Sequence, residues 1–228
     1  MNKIFSSDSP FMRVMSKIFD IGWLSLIYLI FCIPVVTFGA ATTSLYYVSA
    51  KVLRHNRSYV WREFWSSFKS NFAQSTIIWL IMAALYILLA WNIQTLGLTD
   101  EATASNPYGG YLSGAYLALA VIISCIGCYV FPLISRFSMK LTQILRFSLF
   151  CAFRHFLHTL LLLAILVLAG LALFAGFYTQ IILIMLFVPG LAGFLYTFPM
   201  EHVMKKYMPK EEKQFDSEGT EITKWYNE

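Results

Sequence analysis

The spacing of charges constrains this chain more than any other feature. No Asp, Glu, Lys or Arg occurs between Lys69 and Asp100, between Glu101 and Arg136, or between Arg154 and Glu201. Each interval can hold one or two apolar helices of the roughly 20 residues that cross a bilayer. Composition agrees: of 228 residues, 58% are hydrophobic and 13% charged, against about 45–50% and about 25% in ordinary soluble domains. The expected fold is all-α, a polytopic transmembrane helical bundle with about five spans, near residues 18–38, 72–93, 111–134, 157–177 and 179–198. The last two divide one uncharged run, with "GFYTQ" (Gly176 to Gln180) as the hinge. Counts of four or six fit the same intervals. Residues 1–200 then form one membrane domain and residues 201–228 a charged cytoplasmic tail.

Orientation follows from Lys and Arg, which concentrate in cytoplasmic loops. Lys51, Arg54, Arg57, Arg62 and Lys69 lie between spans one and two, and Arg136, Lys140, Arg146 and Arg154 between three and four. Lys205, Lys206, Lys210, Lys213 and Lys224 follow the last span, and none occurs in the loop Gln94 to Gly110. An outside N-terminus and a cytoplasmic C-terminus put 14 of the 17 basic residues inside; Lys3, Arg13 and Lys17 are the misfits. A cleaved signal peptide ending near "TFGAATT" would leave Lys51 to Lys69 outside, against that rule. The formal charge of +5 then reflects topology and contact with anionic membrane lipid, and calls for no nucleic acid.

Two parts of the chain share a plan. "CIPVVTFGAATTSLYY" (Cys32 to Tyr47) and "YVFPLISRFSMKLTQIL" (Tyr129 to Leu145) each end a span in proline and polar residues. A basic amphipathic stretch follows, and then another span. The reading is two parallel span–interfacial helix–span repeats, with cytoplasmic interfacial helices near residues 43–71 and 136–156. Trp61, Phe64, Trp65, Phe68 and Phe72 recur at helical spacing, which would set rings toward acyl chains and Arg62 and Lys69 toward headgroups. Asn71 falls where span two is expected to begin, as a helix cap whose loss in Asn71→Ala would cost about 1 kcal/mol.

"FGAATTSLYYVSAKVLR" (Phe38 to Arg54) followed by "YVWREFWSSFKSNFAQSTIIWL" (Tyr59 to Leu80) resembles the YesL-like family of bacterial integral membrane proteins, a domain of unknown function. The resemblance covers roughly the first 200 residues, most specifically Gly39 to Asn71, and leaves out the tail. Its motifs fall on Gly39 and Thr42 and on Phe64, Trp65, Phe68, Lys69, Asn71 and Phe72; with Lys51, Arg54 and Arg62 of the amphipathic stretches, these are the residues expected at a partner or membrane interface. It implies localisation in the bacterial plasma membrane. It also implies a noncatalytic accessory role beside the permease and ATPase subunits of a carbohydrate ABC importer. Neither the Glu-Ala-Ala coupling motif of a permease nor the Walker A loop of an ATPase occurs in the sequence.

Other chemistry is weakly signalled, and no cofactor or metal is expected. "CIGC" (Cys125 to Cys128) has redox spacing but falls inside a span, where thiols behave as small apolar groups. His155 and His158 stand one turn apart without a nearby acid. No ionisable residue is expected deep in a span, with Asp20 at an edge and Glu63 in an interfacial helix; this disfavours an enzyme. Gly110, Gly114 and Ala118, and again Ala172 and Gly176, allow close helix packing. Pro34, Pro132 and Pro189 should kink or break helices. The alternative function is a small stand-alone transporter or channel for a polar solute, lined by Thr42, Thr43, Asn71, Gln74, Thr142 and Gln143.

Overall fold

Why these segments become helices follows from their makeup. The apolar runs extend over roughly 20 residues, and in lipid a backbone must satisfy its own hydrogen bonds, so the helices continue through Pro132, Pro189 and Pro199 rather than breaking there. The computed structural model describes residues 10–54, 59–95, 107–137 and 139–207. Lys3, Arg57, most of the loop Gln94 to Gly110, and the tail from residue 208, including Lys210, Lys213 and Lys224, lie outside the described residues. The helices are α1 (Pro10–Cys32), α2 (Phe38–Val48), α3 (Val60–Thr95), α4 (Pro107–Arg136), α5 (Leu141–Arg154), α6 (Phe156–Tyr178) and α7 (Ile182–Lys205). A 3-10 turn, Val35–Thr37, precedes α2, and a π-helical turn, Ser49–Arg54, continues it.

Among the described residues, five helices are long and apolar enough to cross a membrane, over Val14–Cys32, Val60–Thr95, Tyr111–Arg136, Phe156–Tyr178 and Leu183–Lys205. The chain is a multi-pass membrane protein. Packing fixes their relative directions. α3 runs against α4, since Tyr86 meets Ser124 and Gln74 meets Met139. α4 runs with α7, since Tyr196 bonds the Cys128 carbonyl and Arg136 pairs with Glu201. α6 runs against α7, with Gly176 on Ile184 at one end and His158 on His202 at the other. α1 runs with α7, because Gly22 faces Phe187 and the Gly190 amide donates to Ser25 Oγ. The helices therefore alternate in direction, and the N-terminal end of α1 and the C-terminal end of α7 lie on opposite faces.

The hinge falls where the sequence puts it. Thr179 and Gln180 turn between α6 and α7, and Gln180 adopts the left-handed φ of 56°. α6 is the peripheral span: only 11% of its apolar window is buried, so its hydropathy serves lipid contact rather than a core.

The segment expected to form one interfacial helix over residues 43–71 is differently built. α2 is buried, with Gly39, Ala40, Ala41, Thr43, Ser44, Leu45, Tyr46 and Val48 all inside. It lies antiparallel to the first half of α3, with Thr43 on Ser75 and Lys51 on Glu63. Small residues allow the approach: a Cβ on Gly39 would stand 2.5 Å from the Ser75 carbonyl oxygen and 2.7 Å from Trp79 Cβ. The hydroxyls of Thr42, Thr43 and Ser44 donate to carbonyls four residues back, at 2.8, 2.9 and 2.8 Å, so a polar-looking sequence is satisfied in the interior. The rest of that expected helix is the start of α3. The aromatic stretch and span two form one continuous helix of 36 residues, because nothing between Val60 and Thr95 breaks a helix.

Candidate functional site

The site begins with two spans that end in the same way. "YVFP" (Tyr129 to Pro132) in α4 and "YTFP" (Tyr196 to Pro199) in α7 each precede a single charged residue, Arg136 and Glu201. Both tyrosines are buried: Tyr129 shares a 2.9 Å hydrogen bond with Thr159, and Tyr196 donates to the Cys128 carbonyl at 2.5 Å. That packing brings Arg136 Nη2 against Glu201 Oε1 in an ion pair whose side chains are 2% and 1% exposed. Tyr46 of α2 donates to the same Glu201 oxygen at 3.1 Å. Burial pushes the Tyr46 phenol up to about 12, against the pull of Arg136 and Arg54, so it remains a donor at neutral pH. Arg54 extends the centre by donating to the Thr197 carbonyl at 3.1 Å while lying over the Phe198 ring.

The pair lies at the ends of two spans and corrects the expected bounds. Arg136 ends α4 rather than opening an interfacial helix near residues 136–156, and Glu201 to Lys205 belong to α7 rather than to the tail. The shared Tyr-x-Phe-Pro was the available signal. Two buried charges are tolerable because they neutralise each other.

The residues singled out from sequence divide into an inner and an outer set. Gly39, Phe64 and Phe68 are buried. Phe31 of α1 holds the inner rings at centroid distances of 5.4 Å to Phe64 and 4.9 Å to Phe68. Trp65 and Phe72 are each 38% exposed, and Arg62 and Lys69 are exposed too. Trp61 and Trp65 stack at 6.1 Å, and the Lys69 ammonium lies over the Trp65 ring at 4.9 Å. Lys51 closes the α2–α3 base on Glu63 at 2.8 Å and on Tyr47 at 3.3 Å. Burial alone would lower its pKa, yet these bonds outweigh it and the net shift is upward. Asn71 does not cap a helix: it lies inside α3 and donates to the Ser67 carbonyl at 3.1 Å.

The remaining polar residues are occupied by helix contacts. Thr43 binds Ser75, Gln74 donates to the Met139 carbonyl at 2.9 Å, and Gln143 Oε1 accepts from the Lys140 amide at 3.3 Å. Cys125 and Cys128 are free thiols, the second buried. Of the small-residue stripes, Gly176 packs against Ile184 and Met185, whereas a Cβ on Gly114 would meet nothing within 4 Å. The expected histidine pair is part of a larger group. His155 shares a 3.0 Å hydrogen bond with Tyr207, and the rings of His158 and His202 stack at 5.4 Å. Among the described residues, no group of three or more His, Cys, Asp or Glu is arranged to hold a metal. Burial depresses the His155 pKa, reinforced by Lys206, His158, Arg154 and His202.

Residues 21–93 match the family described as "Protein of unknown function, DUF624". That range includes most of α1, all of α2, and nearly all of α3. The chain is 25% identical over 148 residues to the "Uncharacterized protein YesL" of Bacillus subtilis (strain 168), covering 63% of this chain and 67% of that one. No solved structure matches. The chain is thus similar to YesL along much of its length, and the segment that matches DUF624 is the unit in which a buried helix is clasped between two spans.

Proposed function

We propose that the chain is a noncatalytic scaffolding subunit of a membrane complex, accessory to a bacterial carbohydrate ABC importer. It lies in the plasma membrane with the N-terminus outside and the C-terminus cytoplasmic. The observation that carries this reading is the two-sidedness of the start of α3. Its inner rings, Phe64 and Phe68, are locked by α1, while Trp61, Arg62, Trp65 and Lys69 face outward. Aromatic residues and arginine are enriched at protein interfaces. A face held rigid before binding loses less entropy when a partner docks. The buried Arg136–Glu201 pair and Tyr46 support that rigidity by tying α2, α4 and α7 together. The importer as partner rests on the family resemblance alone.

The test is purification of the tagged chain from its native membranes in mild detergent. Permease and ATPase subunits are expected to co-purify, and Arg62→Ala with Lys69→Ala, both exposed, should weaken their recovery without changing the melting temperature. Repeated recovery of the chain by itself overturns the proposal. The rival function, a small transporter, is tested by solute flux into liposomes that contain only this protein. Thr42, Thr43, Gln74 and Gln143, which would line its path, are engaged within and between helices.

A further inference from the structure

The outer face of α5 carries a feature that a scaffold does not require. This helix turns Ile144, Ser148, Cys151 and Ala152 inward. Its other face exposes Leu149, Phe150 and Phe153, with Arg146 and Arg154 at either end. These five side chains line an open groove of about 590 Å³. The two arginines are eight residues apart, about 12 Å along the axis, and the Arg154 guanidinium lies 5.5 Å from the Phe150 ring centroid. α5 connects the end of α4 to the start of α6, so it lies at the boundary between bilayer and water. The apolar floor continues onto α6, where Phe156, Leu157, Leu160 and Leu161 are exposed.

We propose that this groove is a binding site for one anionic glycerophospholipid. Its phosphate is held between Arg146 and Arg154, and its acyl chains lie over Leu149, Phe150 and Phe153 and along α6. Charge complementarity selects the headgroup: arginine binds phosphate through a planar fork of donors. Continuity selects a lipid over an acidic protein segment. The apolar floor passes from a surface helix to a membrane span, which an acyl chain can follow and a soluble acidic segment cannot. Basic residues near the surface attract anionic lipid, so two arginines favour it over a zwitterionic one.

The experiment is native mass spectrometry of the detergent-purified chain with phosphatidylglycerol or phosphatidylcholine added at equal concentration. Wild type should retain phosphatidylglycerol with about a tenfold preference, and Arg146→Gln with Arg154→Gln should bring the two lipids close to parity. Both arginines are exposed, so the variant should fold; an unchanged melting temperature checks this. Parity in the wild type overturns the site whether or not the variant folds. So does a preference that survives loss of both arginines, which would leave the face to a protein partner or to unspecific lipid.

Discussion

Glu201 is the residue on which most of the interior depends. Its carboxylate takes both the Arg136 guanidinium and the Tyr46 hydroxyl on one oxygen, so removing it breaks a buried ion pair from one side. Breaking a buried pair from one side costs about 3–5 kcal/mol, whereas replacing both partners by apolar groups is often nearly neutral. Glu201→Ala should therefore lower the melting temperature in detergent sharply, and Arg136→Met with Glu201→Leu should recover most of the loss. A Glu201→Ala protein that melts like wild type would mean that the pair is not closed. His155 makes a second prediction at this scale. Its folded pKa is depressed, so between the folded and unfolded values the unfolded chain binds more protons. Its contribution is present above the unfolded value near 6.5 and is lost as pH falls through the folded one. The facing groups are Arg154 of α5, His158 of α6, and His202, Lys206 and Tyr207 at the end of α7. Melting measured from pH 7.5 to 5 should show a fall that His155→Gln reduces; identical pH profiles would remove His155 from that role.

At the scale of elements, α2 decides the architecture, and its contact with α3 can be measured. Thr43 and Ser75 approach to 2.9 Å between hydroxyl oxygens. Thr43→Cys with Ser75→Cys, in a background without the four native cysteines, should form a disulfide under mild oxidation. Adding Gly39→Leu should abolish it, since even a Cβ at Gly39 would meet Ser75 and Trp79; efficient cross-linking with Gly39→Leu present would show that the helices are not in this register. The spans were legible because lipid demands long apolar runs, and "GFYTQ" marked a turn because it interrupts one. The burial of α2 was not legible. "FGAATTSLYY" reads as the polar end of a span passing into an interfacial helix, and only the structure shows its hydroxyls satisfied by their own helix in the interior. The continuity of α3 was obscured by Lys69 and Asn71, which look like a boundary although neither residue stops a helix.

For the whole molecule, the alternating directions of α1, α3, α4, α6 and α7 put the start of α1 and the end of α7 on opposite faces. A reporter fused at the N-terminus should be active only outside the cell and one fused at the C-terminus only in the cytoplasm; activity of both on one side would contradict the helix pairings. Most of the candidate site stayed hidden in the sequence for a reason of the same scale. Arg136 and Glu201 are 65 residues apart, and Tyr46 is 155 residues from Glu201, so no local pattern joins them. That separation bears on how the protein is made. Synthesis proceeds from the N-terminus, so α2 and Arg136 leave the ribosome well before Glu201, whose carboxylate binds both. The earlier helices must wait, part-assembled, with a guanidinium that has not yet met its carboxylate, and the arrival of α7 is the event that completes the bundle. A nascent chain cut short before Glu201 would carry the whole segment that matches DUF624 and still lack its final clasp.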